Sequence, residues 1–178
     1  MTAKEGAPPR LVSKVFIRGS VEAVWREITK TDSLQGAVFN ARLHTPGLRK
    51  GAPLQMRTKD GRRVLVVGEV LEWDPPRRFS HTFRFTTLDD PPCRVIYELE
   101  PVEGGVEFTL RVEDCPPGTK TEKEMTGGAP FITGNLRSLV ETGRLPLGTR
   151  VMYALFGCLG FLLPKRTRAE NWPMGGGR

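Results

Sequence analysis

Histidine and cysteine are scarce. His44 and His81 are the only imidazoles in 178 residues, and Cys93, Cys115 and Cys158 lie 22 and 43 positions apart. No C-x-x-C pair and no zinc-ligand spacing arises from them, so neither a metal nor a cofactor is expected. Three thiols cannot all pair within one chain, which makes reduced cysteines and a cytoplasmic location the economical expectation. The five serines, at 13, 20, 33, 80 and 138, form no G-x-S-x-G elbow. Gly104-Gly105, Gly127-Gly128 and the Gly175 to Gly177 tail lack the pattern and strand-to-helix context of a phosphate loop. No catalytic signature is present, and whether the chain is an enzyme stays open. A long apolar run is also missing. The longest uncharged apolar run, residues 151–163, would as a helix reach roughly 20 Å against a bilayer core of roughly 30 Å. The first ten residues are polar, contain Pro8 and Pro9 and lack the apolar centre of a secretory signal, so a flexible terminus is expected there.

What the chain does have is base, a formal +7 with a pI near 9.7, which raises nucleic acid or anionic lipid as partners. The excess is uneven. Residues 42–63 carry seven bases and one acid, while residues 69–124 carry seven bases and thirteen acids. Residues 1–18 stand at +3 and residues 144–178 at +5. A nucleic-acid domain presents a basic face with interleaved aromatics. Here Arg42, Arg49, Lys50, Arg57, Lys59, Arg62 and Arg63 read as solvated strand edges and hairpin ends, and no nucleic-acid partner is expected.

Periodicity supplies the architecture. Residues 11–18 alternate as a strand, and Ser20 is placed to cap a short helix whose Val21, Val24, Trp25 and Ile28 share one face. Strand-sized segments follow at 38–43, 53–58, 64–73, 78–86, 94–100 and 106–112. Lys59-Asp60-Gly61 and Glu103-Gly104-Gly105 mark hairpin turns. Phe79, His81, Phe83 and Phe85 fall on one face, with Val95, Tyr97 and Leu99 and then Val106, Phe108, Leu110 and Val112. Arg84, Glu98, Glu107, Arg111 and Glu113 take the other, where cross-strand ion pairs are expected. A long helix, opened by Pro130 and closed by Gly143, repeats Ile132, Leu136, Leu139 and Val140. The order predicts an α+β fold, a curved antiparallel sheet wrapped around a long C-terminal helix.

Four strings resemble the helix-grip fold of the START-like, polyketide-cyclase (SRPBCC) superfamily. They are Val24-Trp25, Gly68-Glu-Val-Leu-Glu-Trp-Asp-Pro-Pro-Arg-Arg-Phe79, Val95-Ile-Tyr-Glu-Leu-Glu-Pro101 and Asn135-Leu-Arg-Ser-Leu-Val-Glu-Thr-Gly143. Within it the chain is most similar to the family of activators of the heat-shock chaperone ATPase. The family opens its last helix with Gly-Trp, whereas this chain has Gly128-Ala129, then Thr133 and Gly134 where bulk is expected. Either a neighbour such as Phe131 or the C-terminal extension refills that volume, or the pocket mouth is wider.

The resemblance implies a gap between sheet and helix that holds an apolar ligand. Face assignment offers Trp25, Phe83, Tyr97, Phe108, Leu110, Ile132, Leu136 and Leu139 as its walls, with His81 and Tyr97 as polar handles. Each wall residue also reads as ordinary core. His81 is the candidate for acid–base work, against the plainer reading of a hydrogen-bonded core residue. Three functions are carried forward: binding of a hydrophobic small molecule or lipid, activation of a chaperone ATPase, and cyclase or hydratase chemistry in the same pocket.

The chain divides as a terminus, 1–10, a helix-grip domain, 11–146, and an extension, 147–178, apolar on all sides and then basic. Such a run is buried in protein or lipid. Packing on the domain is the first reading and a homodimer contact the second. A shallow membrane-surface contact is third, disfavoured by the missing polar face.

Overall fold

The computed structural model describes residues 11–174. The terminus 1–10 and the glycines 175–177 lie outside the described residues. In chain order the elements are β1 (Leu11–Ile17), α1 (Val21–Thr29), β2 (Leu34–Gln35), β3 (Ala41–His44), β4 (Pro53–Arg57), β5 (Val64–Asp74), β6 (Arg78–Phe85), β7 (Cys93–Val102), β8 (Gly105–Glu113), α2 (Lys120–Thr142) and α3 (Leu147–Cys158). Three short 3₁₀ turns follow, at Gly160–Leu162, Lys165–Thr167 and Ala169–Asn171.

The strands form one antiparallel sheet in the order β1-β8-β7-β6-β5-β4-β3-β2. The sheet curls so that α2 lies across β1 and β8 while α1 meets α2, β7 and β8. This is the α+β helix-grip architecture, and it follows from the alternation. Val95, Tyr97 and Leu99 of β7 and Val106, Phe108, Leu110 and Val112 of β8 are all buried on the concave side. On the convex side Lys14 pairs with Glu107 at 2.8 Å, Arg111 with Glu98 at 2.8 Å, and Arg78 with Glu72 at 3.0 Å. Arg78 also meets Glu98, and Arg94 meets Glu113.

The first helix forms where its cap residue stands. Ser20 accepts from the Ala23 amide at 3.1 Å, and Val24 and Ile28 are buried. Its far end is closed by β2, because the buried Gln35 amide donates to the carbonyls of Ile28 and Lys30 at 3.2 and 3.1 Å. Side-chain donors of this kind satisfy the carbonyls a helix end leaves unpaired.

Two elements differ from the sequence expectation. The run 38–43 is not one strand, because Phe39 and Asn40 adopt φ of 56° and 51° and turn the chain between β2 and β3. Val38 is buried all the same, which is why the run reads as a strand without being one. The long helix begins at Lys120, ten residues before Pro130, which lies inside it. Its start is fixed by tertiary contacts rather than by the proline. Thr119 accepts from the Glu122 amide at 3.2 Å, and the Asp90 carboxylate, from the β6–β7 loop, accepts from the Thr121 amide and hydroxyl at 2.9 Å. A negative group at a helix N-terminus is stabilising. Gly143 ends the helix, as expected, at φ 71°.

Candidate functional site

A bulge in β5 builds the concave face. Val70 pairs with His81 and Trp73 with Phe79, so one extra residue is inserted between Val70 and Glu72. That insertion turns Trp73 toward the side its parity would deny it. The result is a continuous run of rings. Centroids are 5.1 Å apart for Trp25 and Trp73, 5.5 Å for Trp73 and Phe79, 5.7 Å for Phe79 and Tyr97, and 5.9 Å for Tyr97 and Phe108. A branch passes from Phe79 to His81, from His81 to Phe83, from Phe83 to Phe85 and from Phe85 to Phe39.

Of the wall candidates, Phe83, Tyr97, Phe108, Leu110, Ile132 and Leu136 are buried in one apolar cluster, and Trp25 is half-buried against it. Leu139 is partly buried against the same cluster and also lines, with Gly143, Arg144, Leu145 and Arg150, an open cleft of about 620 Å³ at the end of α2. A second open cleft, about 400 Å³, runs past Trp25 between α1 and Pro76. Sequence reasoning passed over Trp73 and Phe39 as ring partners. The signal for Trp73 is hidden by the bulge, and that for Phe39 by its left-handed backbone.

His81 and Tyr97 lie within this array, ring centroids 5.9 Å apart. His81 Nδ1 is 2.8 Å from the Thr82 carbonyl oxygen. An oxygen of that kind only accepts, so Nδ1 carries the proton and Nε2 presents a lone pair. Burial pushes the imidazole down to about 4, against the smaller opposing effect of that hydrogen bond. At neutral pH the ring is therefore uncharged and a weak base. Burial alone raises the Tyr97 phenol, which stays protonated. Among the described residues neither Tyr97 Oη nor His81 Nε2 has a hydrogen-bond partner. The pair offers one donor and one acceptor inside an apolar wall.

The departures on α2 are also explained. Thr133 is buried, and its hydroxyl shares a 3.0 Å hydrogen bond with that of Ser13 on β1, so a polar contact replaces bulk. Phe131 packs edge-on against Tyr153 of α3 at 6.2 Å, and the Tyr153 hydroxyl donates to the Gly36 carbonyl at 3.0 Å. The Thr149 hydroxyl donates to the buried Asn135 at 2.9 Å. After the 3₁₀ turns the chain returns to the sheet. Arg63 bridges to Arg168, the Gln55 amide donates to the Trp172 carbonyl at 2.8 Å, and the Arg84 guanidinium lies 6.0 Å from the Trp172 ring centre. No helix among the described residues is long and apolar enough to cross a membrane.

Solved structures share this arrangement. DynU16, from the dynemicin biosynthetic locus, superposes with a TM-score of 0.62 at 23% identity over 76% of this chain. The chain spans only 48% of DynU16's length. Protein MLL2253 from Mesorhizobium loti gives 0.62 at 19% identity, covering 76% of this chain and 98% of its own. PFC0360w, an HSP90 activator from Plasmodium falciparum, gives 0.59 at 16%, covering 78% and 99%. At these identities the likeness is one of fold. Comparison with curated proteins finds no match in sequence. The family pattern described as Activator of Hsp90 ATPase homolog 1-like protein matches residues 18–141, from the end of β1 to the last turn of α2. That span takes in strands β2 to β8, the ring array and the helix that covers it, and the chain belongs to this family within the START-like superfamily.

Proposed function

We propose that the chain binds an apolar small molecule carrying a hydrogen-bonding group, held on the concave face between the Tyr97 hydroxyl and His81 Nε2. The observation that carries this is a pair of polar atoms, on two buried side chains, that have no hydrogen-bond partner among the described residues. Leaving such groups unpaired costs about 1–3 kcal/mol each, and a ligand hydroxyl or carbonyl recovers it. Ring faces on both sides supply apolar contact and little else, the usual make-up of a small-molecule site. The low basicity of His81 favours binding over proton transfer. Entry requires α2 to yield, and Pro130, which removes one helical hydrogen bond between Gly127-Gly128 and Gly134, is where it is weakest.

Native mass spectrometry of gently purified protein, followed by titration with 2-naphthol, tests this. A co-purifying apolar mass is expected, and Tyr97→Phe is expected to weaken 2-naphthol by about tenfold, the equivalent of one hydrogen bond. An unliganded mass together with unchanged affinity in Tyr97→Phe counts against the site. A second reading, stimulation of an Hsp90 ATPase, is favoured by the family match. It predicts a rise in chaperone turnover that Tyr97→Phe leaves intact.

A further inference from the structure

Between Arg150 and Lys165 the chain carries no charged residue. The structure leaves much of this segment in solvent. Leu155 and Phe156 are 61% and 62% exposed, Phe161 and Leu162 73% and 65%, and Val151 and Leu159 are exposed as well. Leu155 and Phe156 are adjacent, so they project about 100° apart around α3. The apolar surface is therefore convex rather than one stripe matched to a groove. Both ends of the segment are tied down, by Thr149 and Tyr153 at its start and by the contacts of Arg63 with Pro164 and Arg168 at its finish.

The charges around it have one sign. Arg144 and Arg150 stand before it, Lys165, Arg166 and Arg168 after it, and Arg62 and Arg63 are brought beside it by the backbone bond from Ala169 to the Arg62 carbonyl at 2.9 Å. Asp89 neutralises Arg166, and Glu170 lies near Arg168. Among the described residues Arg144, Arg150 and Lys165 form no ion pair, while Arg62 lies beside Asp60, whose carboxylate accepts from its amide at 3.1 Å. A second copy meeting this patch across a two-fold axis would set these bases against themselves, which opposes association.

We infer that the α3 tip, residues 151–162, with its basic flanks is a contact surface for an anionic lipid bilayer. Phe156, Phe161 and Leu162 enter the interface, and Arg150 and Lys165 engage lipid phosphates. The twelve-residue α3 is about 18 Å long, too short to span and suited to shallow insertion. The missing polar face is supplied by the domain to which both ends of the segment are fastened.

Flotation of the full chain with vesicles of phosphatidylcholine, alone or with about a third phosphatidylglycerol, tests the inference. Binding is expected on the anionic vesicles only, weakening as salt rises. The double variant Phe161→Ser, Leu162→Ser should lose at least about tenfold in binding, since two largely exposed side chains no longer enter the interface. Arg150→Gln with Lys165→Gln should lose a comparable factor. Thermal melts of both variants should match the parent, because these side chains are exposed. Failure to float with anionic vesicles overturns the inference, as does equal flotation with neutral ones. So does a concentration-dependent dimer in sedimentation equilibrium that Phe161→Ser abolishes, which would assign the patch to a second copy.

Discussion

His81 ties pH to stability in a definite direction. The unfolded chain protonates this ring as pH falls through about 6.5, whereas the folded chain does so only near 4, because burial disfavours the cation. The contribution is intact above pH 6.5 and is lost as pH falls from there toward 4, by on the order of 3 kcal/mol. Urea titrations at pH 7 and pH 4.5 should show the parent losing much more stability than His81→Phe; parallel losses would contradict the assignment. Its neighbour across the sheet is equally constrained. A Cβ on Gly68 would stand 1.9 Å from the Thr82 carbonyl oxygen, the same oxygen that accepts from His81. Gly68→Ala must push two strands apart and is expected to cost about 2–3 kcal/mol, read as a lowered urea midpoint. The sequence shows Gly68 inside a strand pattern, but only the paired backbone shows what approaches it.

Helices α1 and α2 differ in how legible they are. Every signal for α1 is local, a serine cap and one apolar face, so it is read correctly from residues 20–29. For α2 the capping carboxylate, Asp90, is thirty-one positions away from Thr121, and no local pattern announces it. Pro130 then looks like a beginning because prolines belong there. The helix tolerates it because its ring is exposed and the buried residues Met125, Ala129 and Ile132 hold the turns on either side. Pro130→Ala should restore a backbone bond and raise stability by about 1–3 kcal/mol, measured calorimetrically. If the bend also admits ligand, the same variant should slow 2-naphthol uptake. The strands were legible through alternation, and the bulge at Val70 to Glu72 was not, since one inserted residue inverts the parity on which faces are read.

For the whole molecule, charge and hydrophobicity are unequally shared. The convex face of β6, β7 and β8 is laced with cross-strand ion pairs, whereas in β3 and β4 Arg42 and Arg57 sit directly opposite each other. The extension begins against α2 and ends against β4 and β6, so it acts as a strap. Truncation after Leu145 would strip the Asn135 side-chain oxygen and the Gln55 side-chain nitrogen of their partners and bare Phe131. A drop in melting temperature with improved solubility is expected, on the order of 2–4 kcal/mol for two buried polar groups left unsatisfied. An unchanged melt would show that the strap contributes nothing to the domain. The sequence announced the strap's odd composition but not its path, because its anchoring contacts reach more than a hundred positions back along the chain. The three tryptophans divide along the same line. Trp25 and Trp73, 5.1 Å apart, are close enough for their indole transitions to couple, while Trp172 rests on the far side beneath Arg84. The protein thus carries two optical reporters: a near-ultraviolet dichroism couplet that follows the core, and a separate emission, changed by release of Trp172, that follows the strap.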